Sequence, residues 1–323
     1  MKFPRLLAAA IAALAIPVVT ASAHAADFPQ HEVRLVVPFP AGGPTDTIAR
    51  IVAHGLNVKW GQPVVVENKP GAGTMIGTAQ VAKAAPDGYT LGMAISAYTI
   101  NPAIHSKMAY DTLKDLTGVT ELARSNMVLV AQPGEPFNTL PELIKYARSH
   151  PGKLTYATPG LGTATHLAGE MFKKAAGVDI VHVPYNGSGP ALTDLLGGRV
   201  DLMFDLVYSA HPYIESGKLK AIALTSAERD ATLPSVPVMS DTLPGFKVYS
   251  VMGLVTTAGA PVPAVAKIQR DVAAVLAQPE VKKRFASLGV MPIGSSPADW
   301  NALIRSEIQR WTQVAHDSNI HLD

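Results

Sequence analysis

Short runs of aliphatic and β-branched residues alternate with helix-length stretches along nearly the whole chain, and no other feature limits the possible folds so tightly. Strands are expected at residues 33–39, 64–67, 89–94, 127–131, 154–157, 180–183, 202–204, 219–224 and 251–255. Near-continuous apolar runs of this length suit parallel strands covered on both faces. Helical patterns fill the gaps at 46–60, 140–150, 163–176, 190–196 and 263–276, which predicts an α/β fold with sheets flanked by helices. Two helix starts are marked outright: Thr139-Leu140-Pro141-Glu142 is a capping box, and Ser296-Pro297-Ala298-Asp299 sets a hydroxyl before a first-turn proline and an acid.

A chain of 323 residues without cysteine needs no disulfide to bury a core, and it has neither thiolate chemistry nor cysteine metal sites. That length divides most readily into two domains. Residues 1–25 carry Lys2 and Arg5, an apolar run and Ala23-His24-Ala25, the pattern of an export signal cleaved after Ala25; the apolar run is too short for a bilayer. Without Lys2 and Arg5, the 27 basic residues become 25, equal to the 25 acidic ones. A neutral, exported, soluble chain has no basic field for nucleic acid or anionic lipid. With no Pro/Gly/Ser-rich linker, two domains would be joined by strands running between them, and crossings are expected at 124–127 and 248–251.

Chemistry concentrates where strands give way to helices. In the stretch Val-Val-Pro-Phe39-Pro-Ala41-Gly42-Gly43-Pro-Thr45-Asp46, two glycines precede a proline at the first helical position, leaving the Thr45, Asp46 and Thr47 amides for an anion at the helix start. The alternative is a plain tight turn in which Asp46 satisfies the helix start itself. The same design recurs at Thr158-Pro159-Gly160-Leu161-Gly162-Thr163, a near miss to a dinucleotide fingerprint because Thr165 replaces the third glycine. A third segment places Asn186-Gly187-Ser188-Gly189 before a helix and ends the next strand at Asp205; Ser188 lacks the Gly-x-Ser-x-Gly frame of a nucleophile elbow. The glycine-rich residues 71–77 are expected to form a backbone turn near the cleft, and His166 with Glu170 an i,i+4 surface pair without a third metal ligand.

Together these segments, with Val-Val-Val-Glu-Asn-Lys-Pro-Gly-Ala-Gly-Thr-Met-Ile-Gly at 64–77, resemble the substrate-binding proteins of tripartite tricarboxylate transporters, the Bug family, from about Phe28 to the C-terminus. The resemblance implies a two-lobed type II periplasmic binding protein, a Venus flytrap of mixed sheets hinged on two crossing strands. Lobe 1 would comprise residues 26–125 and 249–323, and lobe 2 residues 126–248. It also implies that a carboxylate sits between the two glycine-bearing loops, held largely by main-chain amides and ordered waters. Carried over by position, the ligand-binding residues are Phe39, Ala41, Gly42, Gly43, Thr45 and Asp46 in the first loop and Thr158, Pro159, Gly160, Gly162, Thr163 and His166 in the second. Asn186, Gly187 and Asp205 would face the rest of the ligand, with Ser96 and Tyr98 at a strand end in lobe 1. No arginine stands ready to fork onto the carboxylate, since Arg50 lies beyond the first helical turn, so neutral donors and helix dipoles must hold it.

The implied function is a monomeric periplasmic carrier of a small organic acid, without cofactor or metal, whose lobes close about the crossing strands. Its partner would be the membrane subunits of a tripartite transporter or a sensor kinase, which the sequence does not separate. An exported hydrolase is the reading from another class, and no nucleophile, base and orienting group can be assembled for it.

Overall fold

The computed structural model describes residues 28–322, so the expected export signal lies outside the described residues. Among the described residues, eleven strands and ten α-helices follow in chain order. The chain runs β1 (Val33–Val37), α1 (Pro44–Trp60), β2 (Val64–Asn68), α2 (Met75–Ala82), β3 (Thr90–Ile95), α3 (Ser96–Ile104), β4 (Leu116–Ser125), β5 (Met127–Ala131) and α4 (Leu140–Ser149). It continues with β6 (Thr155–Thr158), α5 (Ala164–Ala176), β7 (Val181–Pro184), α6 (Ser188–Leu196), β8 (Leu202–Leu206), α7 (Val207–Glu215) and β9 (Lys220–Leu224). The last elements are β10 (Ser250–Thr257), α8 (Val262–Leu276), α9 (Pro279–Ser287), β11 (Met291–Pro292) and α10 (Pro297–Asp317).

Two mixed sheets result, with strand orders β11-β4-β10-β3-β1-β2 and β7-β6-β8-β5-β9. The chain leaves the first sheet at Ser125, enters the second at Met127, and returns between Val248, whose amide bonds the Thr225 carbonyl, and Ser250. The expected α/β architecture with two crossings is therefore present, and every expected strand forms close to its expected ends. Strand β4 was not anticipated, because Gly118, Glu121 and Arg124 interrupt its apolar pattern. Their polarity is absorbed locally: Arg124 donates to the buried Glu121 carboxylate, and Gly118 exchanges two hydrogen bonds with the Asn301 side chain. Helices α3 and α7 each contain a proline, Pro102 and Pro212, which hid them in the sequence.

Each sheet has its own apolar core. Leu35, Ile48, Leu56, Leu254 and Val272 belong to the first, and Leu129, Leu143, Phe172 and Phe204 to the second. Helix α10 serves both: Trp300, near its start, packs with Val36 and Val255, whereas Trp311, about three turns later, joins Phe172 and Phe204. The Trp300 indole N–H donates to the Leu254 carbonyl, satisfying its one polar atom in the core. Gly253 makes this approach possible, since a Cβ there would collide with the Trp300 ring and the Thr120 carbonyl. Gly253→Ala is therefore expected to lower stability by about 1–3 kcal/mol through overpacking. Gly134→Ala, where a Cβ meets nothing within 4 Å, should be nearly neutral. Urea unfolding of the two variants beside the parent chain checks the contrast.

Candidate ligand-binding site

The first glycine loop leaves β1 and enters α1 through Gly43, an N-cap with no side chain to satisfy the helix start. The first helical bond runs from the Thr47 amide to the Gly43 carbonyl, 2.9 Å. Thr47 is thus not the free donor expected, and Pro44 has no N–H, which leaves the Thr45 and Asp46 amides ahead of the helical ladder. Asp46 also departs from expectation: it is buried, and its carboxylate accepts from the Gly42 amide (2.8 Å), Arg50 Nε (2.8 Å) and Asn68 Nδ2 (2.9 Å). The Arg50 hydrogen bond, against the opposing effect of burial, holds the Asp46 carboxyl at about 2. Asp46 shapes the loop and does not face a ligand. Gly42 adopts φ +86°, a left-handed conformation that a side chain would strain, in making its bond to Asp46.

A cavity of about 430 Å³ opens against this loop, lined by Phe39, Pro40, Ala41, Gly43, Pro44 and Thr45. Its other walls are Ile95, Leu206, Tyr208, Ser250, Met252 and Val290, so both sheets contribute. Ile95 and Leu206 are the N-caps of α3 and α7, neither with a side-chain cap. Three helix starts therefore meet at one cavity whose lining holds no lysine or arginine. Partial positive charge from aligned peptides is what such a place offers an anion. Sequence reasoning missed Ile95, Leu206 and Tyr208, because these two strand-to-helix junctions carry no glycine.

Two weaker expectations fail on packing. The Tyr98 ring is buried among Val36, Val81 and Trp300, its hydroxyl donates to the Thr112 carbonyl at 3.2 Å, and burial pushes its phenol far up. Ser96 is buried as well, with Oγ accepting from the Val251 amide at 3.1 Å, which ties the end of β3 to β10.

The second loop is bound to itself. Thr163 caps α5 by accepting from the His166 amide (3.2 Å), and its hydroxyl lies 2.7 Å from the Gly160 carbonyl. His166 Nδ1 takes the Gly162 amide at 3.2 Å, while the buried Thr158 hydroxyl lies 2.7 Å from His182 Nε2. The side chains of Thr163, His166 and Thr158, expected to meet the ligand, instead hold this loop in place. The His166 and His182 rings stack at 4.1 Å, and His182 stacks on Tyr156 at 4.8 Å. Burial moves His166 down to about 4 and His182 to about 3, so both are neutral imidazoles near pH 7. Glu170 and His166 are buried, not a surface pair; Glu170 accepts from the Tyr156 hydroxyl (2.6 Å) and Lys173 Nζ.

Beside this loop, the Gly187 amide donates to the Pro159 carbonyl and Gly187 caps α6 without a side chain, next to Asn186. Ser188 donates to Asp205 Oδ1 at 2.7 Å; Asp205 is fully buried, and its Oδ2 has no partner among the described residues. Burial pushes that carboxyl up to about 7. None of Thr158, Pro159, Gly160, Gly162, Asn186 or Gly187 lines the 430 Å³ cavity, which joins the first loop to Leu206 and Tyr208.

Two α/β lobes joined by two crossing strands, with helix starts converging on the space between them, define a type II periplasmic binding protein. Residues 48–320 match the tripartite tricarboxylate transporter family receptor. The protein BugT of Bordetella pertussis is 34% identical over the whole of both chains. Among solved structures, Rpa4515 of R. palustris with adipate is 35% identical, with a TM-score of 0.79, covering 91% of this chain and 99% of that one. MatC from Rhodopseudomonas palustris with bound malate is 37% identical, with a TM-score of 0.74, covering 89% and 99%. The chain belongs to this family of periplasmic solute receptors.

The stacked histidines set an acid limit on stability. Unfolded imidazoles titrate near 6.5, so between that pH and about 4 the unfolded chain binds more protons than the folded one. Stability is full above this window and falls as the pH drops through it, by up to about 3 kcal/mol from His166 alone. His166→Gln, whose amide oxygen can accept the Gly162 N–H, should lose less between about pH 7 and pH 4.5 in urea unfolding. Equal losses in parent and variant would contradict the assignment.

Proposed function

We propose that this protein is a periplasmic receptor, not an enzyme, that captures a small organic acid between its lobes and delivers it to the membrane subunits of a tripartite tricarboxylate-type transporter. Residues 1–25 act as the export signal, residues 26–125 with 249–323 form one lobe, and residues 126–248 form the other. The observation that carries the reading is the meeting of three uncapped helix starts at a cavity without a cationic side chain. A carboxylate accepts from orphan amides at such a site, and each charge-assisted hydrogen bond contributes about 1.5–3 kcal/mol. The adipate and malate held by the related receptors support a carboxylate as the ligand class. Closure about the crossings near Ser125–Met127 and Val248–Ser250 would bring the Gly160–Gly162 loop and Asn186 onto the ligand's far side.

Gly43→Asp tests the site. The position has extended backbone, φ −77°, and a Cβ there meets only the Pro40 carbonyl at 3.8 Å, so an aspartate fits. It would cap α1 while placing a negative charge where the carboxylate sits. A thermal-shift screen of mono- and dicarboxylates, aromatic acids and acidic amino acids identifies a stabilising ligand, and a hundredfold excess over Kd adds about 2.7 kcal/mol. The variant should fold with undiminished stability and bind that ligand at least tenfold more weakly in calorimetry. Undiminished affinity would place the carboxylate elsewhere.

Export is checked separately, by mass spectrometry of the protein recovered from the periplasm. The N-terminal residue should be Ala26, and a product retaining Lys2 would refute cleavage.

A further inference from the structure

Asp205 lies near the C-terminal end of β8, immediately before the cavity-lining Leu206, and its partner Ser188 begins α6. One carboxyl oxygen receives the Ser188 hydroxyl, and the Leu206 amide also interacts with the group; the other oxygen, Oδ2, is buried with no partner among the described residues. A buried polar atom left unpaired is costly, and it marks a place where something else is bound. Among the described residues, no cation is positioned to neutralise Asp205. The facing strand β5 presents Met127 and Val128, and β6 presents Ala157. On α5, Glu170 and Lys173 pair with each other, and His166 is engaged by the Gly162 amide. On α7 the nearby titratable groups are Tyr208, whose phenol burial pushes up, and His211 further along the helix.

Two anions in one desolvated, cation-free site repel strongly, whereas a carboxylic acid beside a carboxylate makes a short, charge-assisted hydrogen bond. Resting on the carboxylate reading above, we propose that Asp205 is a neutral carboxylic acid in the complex, so that capture of an anionic ligand takes up a proton and Asp205 donates a hydrogen bond to it. The proton comes from bulk solvent and resides on Asp205 Oδ2; no covalent bond to the ligand forms. The geometry thereby selects acids that present an acceptor to Asp205, such as a second carboxylate, over ligands that present an ammonium group. With the unliganded carboxyl raised to about 7, much of the protonation change falls within the physiological range.

The test is isothermal titration of the full receptor with adipate and with malate. At about pH 7, in two buffers of different ionisation heat, binding should show net proton uptake. The dissociation constant should be about tenfold larger at pH 8 than at pH 6. Asp205→Asn retains a donor but cannot titrate, so its affinity should not vary between those pH values and its proton uptake should vanish. His211→Asn should keep the parent's pH dependence. Tight binding without proton uptake, net proton release, or a pH dependence that survives in Asp205→Asn would overturn the inference and leave the carboxylate reading standing. Binding of neither acid, nor of any other carboxylate, at either pH would overturn both. Because proton uptake is measured on the parent protein, the outcome does not depend on how the variants fold.

Discussion

Three hydrogen bonds to one buried carboxylate, that of Asp46, hold open the loop on which the proposed site depends. An acidic side chain in the first turn of a helix ordinarily satisfies the helix's own amides and so competes with an incoming anion. Here it turns to Gly42, Arg50 and Asn68, which binds the loop to the far end of its own first turn and to the neighbouring strand β2. The amides stay available because the acid is occupied elsewhere. Arg50 is also kept from the cavity by this pairing, and what remains is a positive potential made of backbone. Such a potential is fixed in space and needs no side chain to be ordered when a ligand arrives.

The fold was largely legible because apolar runs and their spacing report directly on burial. Nine strands could be placed from hydrophobicity alone, and the capping box at Thr139 and the cap at Ser296 form as their spacing requires. What stayed hidden depended on partners distant in sequence or on polar residues that find each other locally. Strand β4 reads as polar until Arg124 meets Glu121 and Asn301 meets Gly118. The site was legible in its first loop, where glycine and proline spacing dictates backbone geometry. It was less so at Thr163 and His166, since nothing in a sequence says whether a hydroxyl or an imidazole turns toward a ligand or back to its own loop. Ile95 and Leu206 carried no signal, because an uncapped helix start needs no particular residue type.

The two lobes also touch at a place with little freedom. Gly289, at the end of α9 and in the left-handed region at φ +63°, lies so near Tyr208 that a Cβ would overlap the tyrosine's own Cβ, and its carbonyl accepts from Ser125 at the first crossing. Tyr208 is also a wall of the cavity. A motion of one lobe against the other must therefore roll about this contact or break it, which links the shape of the cavity to the angle between the lobes.

Because α10 supplies Trp300 to one core and Trp311 to the other, neither lobe can finish its interior before this helix has been synthesised. All earlier segments lack a piece that only arrives near the end of translation. A nascent chain built this way remains incompletely packed for most of its production, the condition under which a secretion channel can still thread it. Once α10 docks, the same helix ties both interiors to one event, so maturation is a single late step for the whole molecule.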